Sequence, residues 1–347
     1  MDSPTWNSAV LEGEVLVSVV VVPREGFRQA PSCLTRLLEV TNTPFHLIYV
    51  DGNSPGWIAR RIQKLLRRHG GTLIRSETYL RPTQARNVGA REVNTRYIVF
   101  LDNDVRVMPG WLDSLVQAAE RTGAAYVSPI ICIGGRTPPL VHVAGGVNEL
   151  VEEDDGLHFR ELSHHAGRRL PDVLAEVTAG PTTMAEFHAV LVRMEVLMRL
   201  GGLDEACSTA FEHNDLCLQV ASQGGLGWLE PASVVDYAPA AAAAPGNASF
   251  HLVRWSAAWI DESLRAFCGK WSLPEDDAAL AVDLASLHQR RRRPLSYVRS
   301  LVRRLLGKRA VERLDRLMDW CAGRLFREDL ARGDRAVHVS RWAGSGL

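Results

Sequence analysis

The sequence predicts an α/β protein: a mixed, mainly parallel, Rossmann-like sheet flanked by helices, followed by a helical C-terminal appendage. Residues 15–22, VLVSVVVV, form a continuous apolar run typical of strands that are buried on both faces. After it, short apolar runs alternate with helical patterns of roughly ten to fifteen residues, which indicates crossover connections and a parallel sheet. An arginine-rich helical pattern after residue 290 predicts the appendage.

The predicted elements follow in a regular order. Leu34, Leu37 and Leu38 fall on one helical face behind Ser32, which predicts the first helix. Further strands are predicted at 46–50, 72–75, 97–101, 124–132 and 185–193, and further helices at 56–69, 82–93, 109–123, 194–200 and from 212 onward. The stretch 145–182 has no clear period, so we expect an irregular segment that is functional or mobile.

Composition and charge limit the class of protein. The chain has 347 residues, 46% of them hydrophobic, and can bury a large core. Its formal net charge is zero, yet residues 290–313 hold ten Arg and Lys against one acid, so an acidic body precedes a basic tail. The low-complexity stretch 238–249 predicts a flexible segment. We therefore expect an α/β domain at 1–245 and a helical, Arg-rich region at 246–347.

The cysteines and the apolar runs bear on the cellular compartment. Six cysteines are scattered without paired spacing, so neither a disulfide framework nor a zinc finger is indicated. The first fourteen residues lack the basic start and apolar core of a signal peptide. No apolar run approaches the ~20 residues of a membrane span. We expect a cytoplasmic protein.

Acidic residues follow two of the predicted strands. Asp51 follows the second strand, and Asp102 and Asp104 follow the fourth. In parallel sheets, ligands bind at the carboxyl ends of strands, where Asp104 could hold a divalent cation with its hard oxygen ligands. The alternative is that these are turn-forming residues at strand ends.

Several linked motifs carry a family resemblance. SVVVVPREGF, LIYVDGNSP, QARNVGA, YIVFLDNDV, PGWLDSLV and FEHNDLCLQ stand in the order and spacing of the family 2 glycosyltransferases with a GT-A fold. The resemblance covers roughly residues 14–237. It implies a GT-A fold for the domain at 1–245. It also implies transfer of a hexosyl or N-acetylhexosaminyl group from a nucleotide-sugar donor, a UDP-sugar first, to a hydroxyl acceptor.

The resemblance assigns roles in donor binding. It implies that Pro23 and Asp51 border the nucleotide base, that Arg86 and Asn87 lie near the diphosphate, and that Asp102 approaches the ribose. Asp51 could instead be only a turn former, and Arg86 only a surface charge on a helix.

The resemblance also implies a metal cofactor. Asp104 would hold a Mn²⁺ or Mg²⁺ ion that bridges the two phosphates and neutralises the leaving diphosphate. FHLVRW at 250–255 resembles the Q-x-x-R-W signature of processive members, with His251 in place of Gln. His251 is a candidate late metal ligand, and a core or surface histidine is the alternative.

An inverting transferase needs a general base for the acceptor hydroxyl. The stretch EHND occupies the family's acidic motif, with His213 in place of its second acid. Glu212 and Asp215 are three residues apart, so on a helix they share a face, and both could point toward the cleft. We expect Glu212 to be the base and Asp215 its acceptor-side partner. A helix start with acids that favour the dipole is the alternative.

The basic tail suggests further partners. Val298, Val302 and Leu305 have helical spacing among arginines, which suggests contact with an anionic membrane surface and a lipid-linked acceptor. A glycan or a small-molecule acceptor fits the motifs as well, and a solvated helix packed on the catalytic domain fits the tail equally. Nucleic acid is not expected, since no aromatic stacking platform accompanies the charge.

Two other functions remain as alternatives. A sugar nucleotidyltransferase would share the sheet and metal chemistry, but PREGFRQAPS lacks the Gly-rich, Lys-bearing loop that it needs after the first strand. A catalytically inactive nucleotide-binding scaffold is consistent with His213 in the acidic motif.

Overall fold

Buried β-branched runs build the central sheet of the protein. The computed structural model describes residues 15–134, 137–237, 244–292, 296–325 and 337–344. Its strands are β1 (Val17–Val22), β2 (His46–Gly52), β3 (Gly71–Ser76), β4 (Tyr97–Asp102), β5 (Val105–Val107), β6 (Tyr126–Ile133), β7 (Leu140–Val143), β8 (Gly146–Glu153), β9 (Gly156–Ser163), β10 (Gly180–Pro181), β11 (Ala189–Arg193), β12 (Gly227–Tyr237) and β13 (Val337–Trp342).

The strand order is β10-β12-β6-β11-β4-β1-β2-β3-β13, with β5 beside β12 and β7 beside β6. β1 is central and pairs in parallel with β2 on one side and β4 on the other. β11 enters antiparallel between β4 and β6. The predicted mixed, mainly parallel sheet is confirmed.

Helices cover both faces of the sheet. They are α1 (Ala30–Val40), α2 (Gly56–His69), α3 (Pro82–Ala90), α4 (Trp111–Thr122), α5 (Leu170–Leu174), α6 (Met194–Arg199), α7 (Glu212–Ser222), α8 (Ala248–Arg254), α9 (Ala257–Trp271), α10 (Ala278–Arg291), α11 (Ser296–Leu306) and α12 (Lys308–Leu325). Val19 and Val21 pack under α1, α2 and α4, while Val20 and Val22 pack under α3, α6 and α7. Burial on both faces explains the unbroken apolar run of β1.

The stretch 145–182 is more ordered than its sequence predicts. It contains the β8–β9 hairpin, in which Leu150 lies opposite Phe159. Phe159 is buried and meets the ring of Phe267 in α9 edge-on, with centroids 5.3 Å apart. The expectation of an irregular segment is wrong. A two-stranded hairpin covers only one face, so charged residues on its other face hide the strand pattern.

The C-terminal region contributes to the core around the central sheet. Phe250 of α8 is fully buried, 4.8 Å from the ring of Phe27. β13 extends the sheet by pairing antiparallel with β3, so the region at 246–347 is not exclusively helical. The boundary at 245/246 stays a prediction, and these contacts cross it. Of the predicted flexible segment 238–249, residues 238–243 lie outside the described residues.

α11 and α12 pair with each other beyond the sheet. Arg299 donates a hydrogen bond to Asp315 across the pair at 2.9 Å. Val298, Leu301 and Leu305 of α11 are exposed. None of the described helices combines the length and the apolarity needed to cross a bilayer.

Candidate active site

The carboxyl ends of β1, β2 and β4 meet at one edge of the sheet because the three strands run parallel. Asn103 fixes the chain just after β4. Its backbone N–H donates to the Val22 carbonyl at 2.8 Å, and its side-chain amide donates to the Gly26 carbonyl at 2.9 Å. These bonds anchor the segment that carries Asp102 and Asp104 against the loop after β1. Both acids are fully buried.

Asp102 lies between two arginines. Its Oδ1 accepts a hydrogen bond from Nη2 of Arg86 at 2.8 Å, and its Oδ2 is 3.4 Å from Nε of Arg24. Burial raises the pKa of Asp102, and the two guanidinium groups oppose that shift. Arg86 belongs to α3, is itself fully buried and stacks 4.1 Å from the ring centre of Phe187. The strand end is therefore a preorganised, water-poor charge cluster.

Asp104 has a different environment. Neither of its carboxylate oxygens has a hydrogen-bond partner, although both are buried. Burial raises its pKa well above the usual value, and Asp102 and Glu25 raise it further. A buried carboxylate without a donor is costly unless a cation compensates it. The residues present therefore fit a Mn²⁺ or Mg²⁺ ion, which takes one or two carboxylates and completes its shell with phosphate oxygens.

Asp51 and Pro23 border the other side of this edge. Asp51 accepts hydrogen bonds from the backbone N–H of Ser54 at 2.8 Å and from its hydroxyl at 3.0 Å, and it pairs with Arg75. Pro23 packs so closely on Gly52 that a Cβ there would lie 3.3 Å from the proline ring. These contacts form a rigid wall at the ends of β1 and β2.

Glu212 opens α7 next to the arginine cluster. Its Oε1 is 3.6 Å from Nη1 of Arg86 and 3.9 Å from Nη2 of Arg254. Burial alone would raise the pKa of Glu212, but Arg254, Arg86 and Arg24 lower it to about 2. Phe211, just before the helix, takes a left-handed backbone with φ 62°. Glu212 is thus held ionised, with its position set by charge.

A cavity of about 220 Å³ extends from Glu212. Its walls come from the hairpin, α7, the end of α8 and α10, and include Arg24, Glu161, His213, Arg254, Trp255, Asp283 and Arg290. Asn214 ties α7 to the hairpin, since its amide donates to Glu161 at 2.8 Å. The hairpin and the C-terminal helices therefore complete one cavity with the sheet edge.

One segment of the chain matches a family model. Residues 18–167 match the model described as glycosyl transferase family 2. This segment is a family 2 glycosyltransferase domain. The match runs from β1 through β9 and includes both acids of the β4 end.

Curated relatives of this glycosyltransferase domain are distant. A pre-mycofactocin glycosyltransferase of Mycobacterium tuberculosis is 29% identical over 159 residues, which is 45% of this chain and 30% of that protein. A protein of Haemophilus influenzae named uncharacterized glycosyltransferase is 29% identical over 106 residues, 30% of this chain and 35% of that protein. The chain thus matches about a third of the length of these relatives.

A solved structure confirms the fold. The crystal structure of GalNAc-T7 with UDP, GalNAc and Mn²⁺ superposes with a TM-score of 0.52 over 80% of this chain and 55% of that chain. The two sequences are 16% identical, so the likeness concerns the GT-A fold.

Three of the predicted site residues take positions that the sequence does not reveal. Asn87 is hydrogen-bonded to the 203–205 segment. Its amide N–H groups donate to the Leu203 carbonyl at 2.8 Å and to Glu205 at 3.0 Å, and its Oδ1 accepts from the Leu203 N–H at 2.9 Å. Its role at the diphosphate stays a prediction, and these bonds argue for a structural one. His251, in α8, has its Nε2 3.0 Å from the Arg290 carbonyl. Among the described residues, no cluster of three metal-ligating groups contains His251.

The third such residue is Asp215. It accepts hydrogen bonds from Lys270 and from the indole of Trp271, both at 2.9 Å, and from Gln219 at 2.7 Å. It does not line the cavity. Asp215 therefore points away from the cavity that Glu212 lines, and its role as the acceptor-side partner stays a prediction. The cause is α9, whose cationic end packs against that side of α7.

Sequence reasoning missed two arginines of the cluster. Arg24 follows Pro23 directly after β1, and Arg254 is the arginine of FHLVRW, so both lay inside motifs that the resemblance had marked. Arg254 is fully buried and donates to the carbonyl and hydroxyl of Thr209. Charge patterns alone do not distinguish such residues from surface arginines.

Proposed function

We propose that this protein is an inverting, metal-dependent glycosyltransferase that moves a sugar from a nucleotide-sugar, a UDP-sugar first, to a hydroxyl acceptor. The observation that carries the proposal is the buried charge cluster at the β4 end. It combines three arginines with a carboxylate, Asp104, that has no donor.

The arginines favour an anionic ligand. Buried N–H groups of Arg24, Arg86 and Arg254 lack hydrogen-bond acceptors. Leaving such donors unsatisfied costs roughly 1–3 kcal/mol each, so a ligand that accepts from them binds favourably. A diphosphate offers oxygens for several donors at once and has the charge to match guanidinium groups. The solved GalNAc-T7 structure, which contains UDP and Mn²⁺, supports this choice of ligand.

Asp104 would hold the metal ion, with Asp102 beside it. When bound, the ion supplies positive charge to the departing diphosphate. Arg86 and Arg24 hold Asp102 in place, and they lie where they can share the negative charge that develops as the sugar–phosphate bond breaks.

Glu212 would accept the proton of the acceptor hydroxyl as its oxygen attacks the anomeric carbon. A carboxylate with a pKa of about 2 is a weak base, because three cations stabilise its charge. Binding of a diphosphate to Arg24, Arg86 and Arg254 would divide their attraction between two anions. Donor binding should therefore make Glu212 more basic at the moment when the base is needed.

The cavity beyond Glu212 would receive the acceptor, and the C-terminal helices would contact an anionic membrane. The exposed apolar face of α11, Val298, Leu301 and Leu305, has arginines beside it. This arrangement suits a helix lying on a bilayer surface and an acceptor with a lipid anchor.

The experiment is binding followed by transfer. Calorimetry with UDP and GDP should show tighter nucleotide binding with Mn²⁺ than with EDTA. In Asp104→Asn, nucleotide affinity in the presence of Mn²⁺ should fall by more than about tenfold. Asp113→Asn, an exposed acid on α4, is the control and should bind normally. A screen of nucleotide-sugars and acceptors by mass spectrometry then tests transfer.

Two results would count against the proposal. If nucleotide affinity in EDTA, or in Asp104→Asn, equalled that of wild type with Mn²⁺, a metal ion at Asp104 would not take part in nucleotide binding. Metal-dependent nucleotide binding without transfer in any donor–acceptor pair would favour the inactive scaffold.

A further inference from the structure

A second cluster of ligand-forming side chains lies beside the charge cluster. His142 of β7 has Nε2 3.1 Å from Oε1 of Glu186, and His188 has Nδ1 2.6 Å from Oε2 of the same carboxylate. One donor atom from each residue lies within 4.8 Å of the others. The backbone carbonyl of His188 accepts from Asp102 N–H at 3.1 Å, which places the cluster one strand away from the β4 end.

The Glu186 carboxylate lies between the two imidazoles, with one ring nitrogen close to each of its oxygens. The His188 side chain is buried, since 2% of the residue is exposed. Tyr237 packs on the His188 ring with centroids 4.2 Å apart and fixes its orientation.

We propose that His142, Glu186 and His188 bind one divalent transition-metal ion, Zn²⁺ by preference, at a site separate from Asp104. Two nitrogens and one carboxylate favour Zn²⁺ or Co²⁺ over Mg²⁺ and Ca²⁺, which prefer all-oxygen sets. Among the described residues, the cluster contains no part of the β4 end. Arg24 opposes the ion, but Asp102 lies 3.4 Å from its guanidinium and offsets that charge.

The site opens toward the cavity. His142 and Glu186 line the same space as Glu212, whereas His188 lies behind them. Three protein ligands leave a coordination position for an outside oxygen. The ion would therefore take an acceptor hydroxyl or carboxylate oxygen as its fourth ligand and orient it near Glu212. This acceptor role rests on the proposed function, whereas metal binding itself does not.

The test counts metal. Full-length protein stripped with a chelator is loaded with Zn²⁺ or Co²⁺, dialysed, and analysed by mass spectrometry for metal and by visible absorption for Co²⁺. Wild type should retain about one ion per chain. His142→Asn and Glu186→Gln should weaken retention more than about tenfold. Asp104→Asn should retain the ion.

His158→Asn is the matched control, because His158 belongs to an exposed cluster with Glu153 and Asp155. It should retain the ion as wild type does. His142 is partly exposed, so His142→Asn should fold even if Glu186→Gln does not, and thermal melting of the metal-free variants checks this.

Three results would overturn the site: no retained ion in wild type, full retention in folded His142→Asn, or loss of the ion in Asp104→Asn, which would place it at the β4 end. Failure of sugar transfer would leave the metal count unchanged. The two proposals therefore fail separately.

Discussion

Three buried arginines determine the charge state of Glu212. Its pKa of about 2 means that the carboxylate proposed as the base is already ionised at neutral pH before any ligand binds. The feature is electrostatic and needs the side chains in place: Arg24, Arg86 and Arg254 lie far apart in sequence and meet only at the β4 end.

Glu212→Gln should lower kcat by on the order of 10²-fold or more, because the amide cannot accept the acceptor's proton. Nucleotide binding should remain. Steady-state kinetics with the donor and acceptor found in the screen, beside calorimetry with UDP and Mn²⁺, measure the two effects. Asp215→Asn is the comparison: it should lower the melting temperature through its Lys270 contact and leave kcat nearly unchanged. A larger loss of kcat in Asp215→Asn than in Glu212→Gln would mean that Asp215 is the general base.

Asp283 of α10 should make stability depend on pH. Burial, reinforced by Glu161, raises the pKa of Asp283 to about 6 in the folded protein, against roughly 3.9 when unfolded. The stability that the protonated Asp283 carboxyl contributes to the folded protein is thus fully present below pH 4, and it is lost as the pH rises through 6. Asp283→Asn should gain on the order of 1 kcal/mol over wild type at pH 7.5, after allowance for solvent screening, and nothing at pH 4.

Urea unfolding of both proteins across this pH range measures the difference. Asp276→Asn, an exposed neighbour, should show no such trend. A gain for Asp283→Asn that is constant with pH would rule out titration of this carboxyl as its cause.

At the scale of single elements, the amphipathic pattern predicted helices that pack on the sheet but did not predict the β8–β9 hairpin. The helix at 56–69 was predicted with its bounds, because Ile58, Ile62 and Leu66 are buried on one face. The hairpin was missed because it covers only one face, and the charged residues on its other face hide the strand pattern.

α11 should bind anionic vesicles through its exposed face. Replacing both Leu301 and Leu305 with Glu should abolish flotation with phosphatidylserine-containing liposomes, because it removes apolar burial and adds repulsion. Leu162→Glu, at an equally exposed leucine of the hairpin, should float as wild type does. Wild-type binding should decrease with salt. Unchanged flotation of the double variant would favour the solvated-helix interpretation.

At the scale of the whole molecule, the last described segment of the chain forms β13, which pairs with β3 at the edge of the sheet. Trp342 packs against the core beneath α2 and lies 5.7 Å from the Arg67 guanidinium. Trp342→Ala should destabilise the domain by about 1–2 kcal/mol, since the ring is only partly buried. Trp320→Ala, 60% exposed on α12, should have little effect. Equal unfolding midpoints in the two variants would mean that β13 does not stabilise the sheet.

The sequence by itself determined the alternation of strands and helices from β1 to α4, the mainly parallel sheet, and the placement of Asp51 and Asp102 at one edge. These follow from local period and from the geometry of parallel strands, which need no knowledge of distant partners. Only the tertiary structure decided which charges meet. Asp215 pairs with Lys270 at the end of α9, and Asn87 bonds to the 203–205 segment. Arg24 and Arg254 lie close to Glu212. These outcomes depend on which neighbours folding brings together, because the burial and pairing of charges are set by contacts between residues distant in sequence.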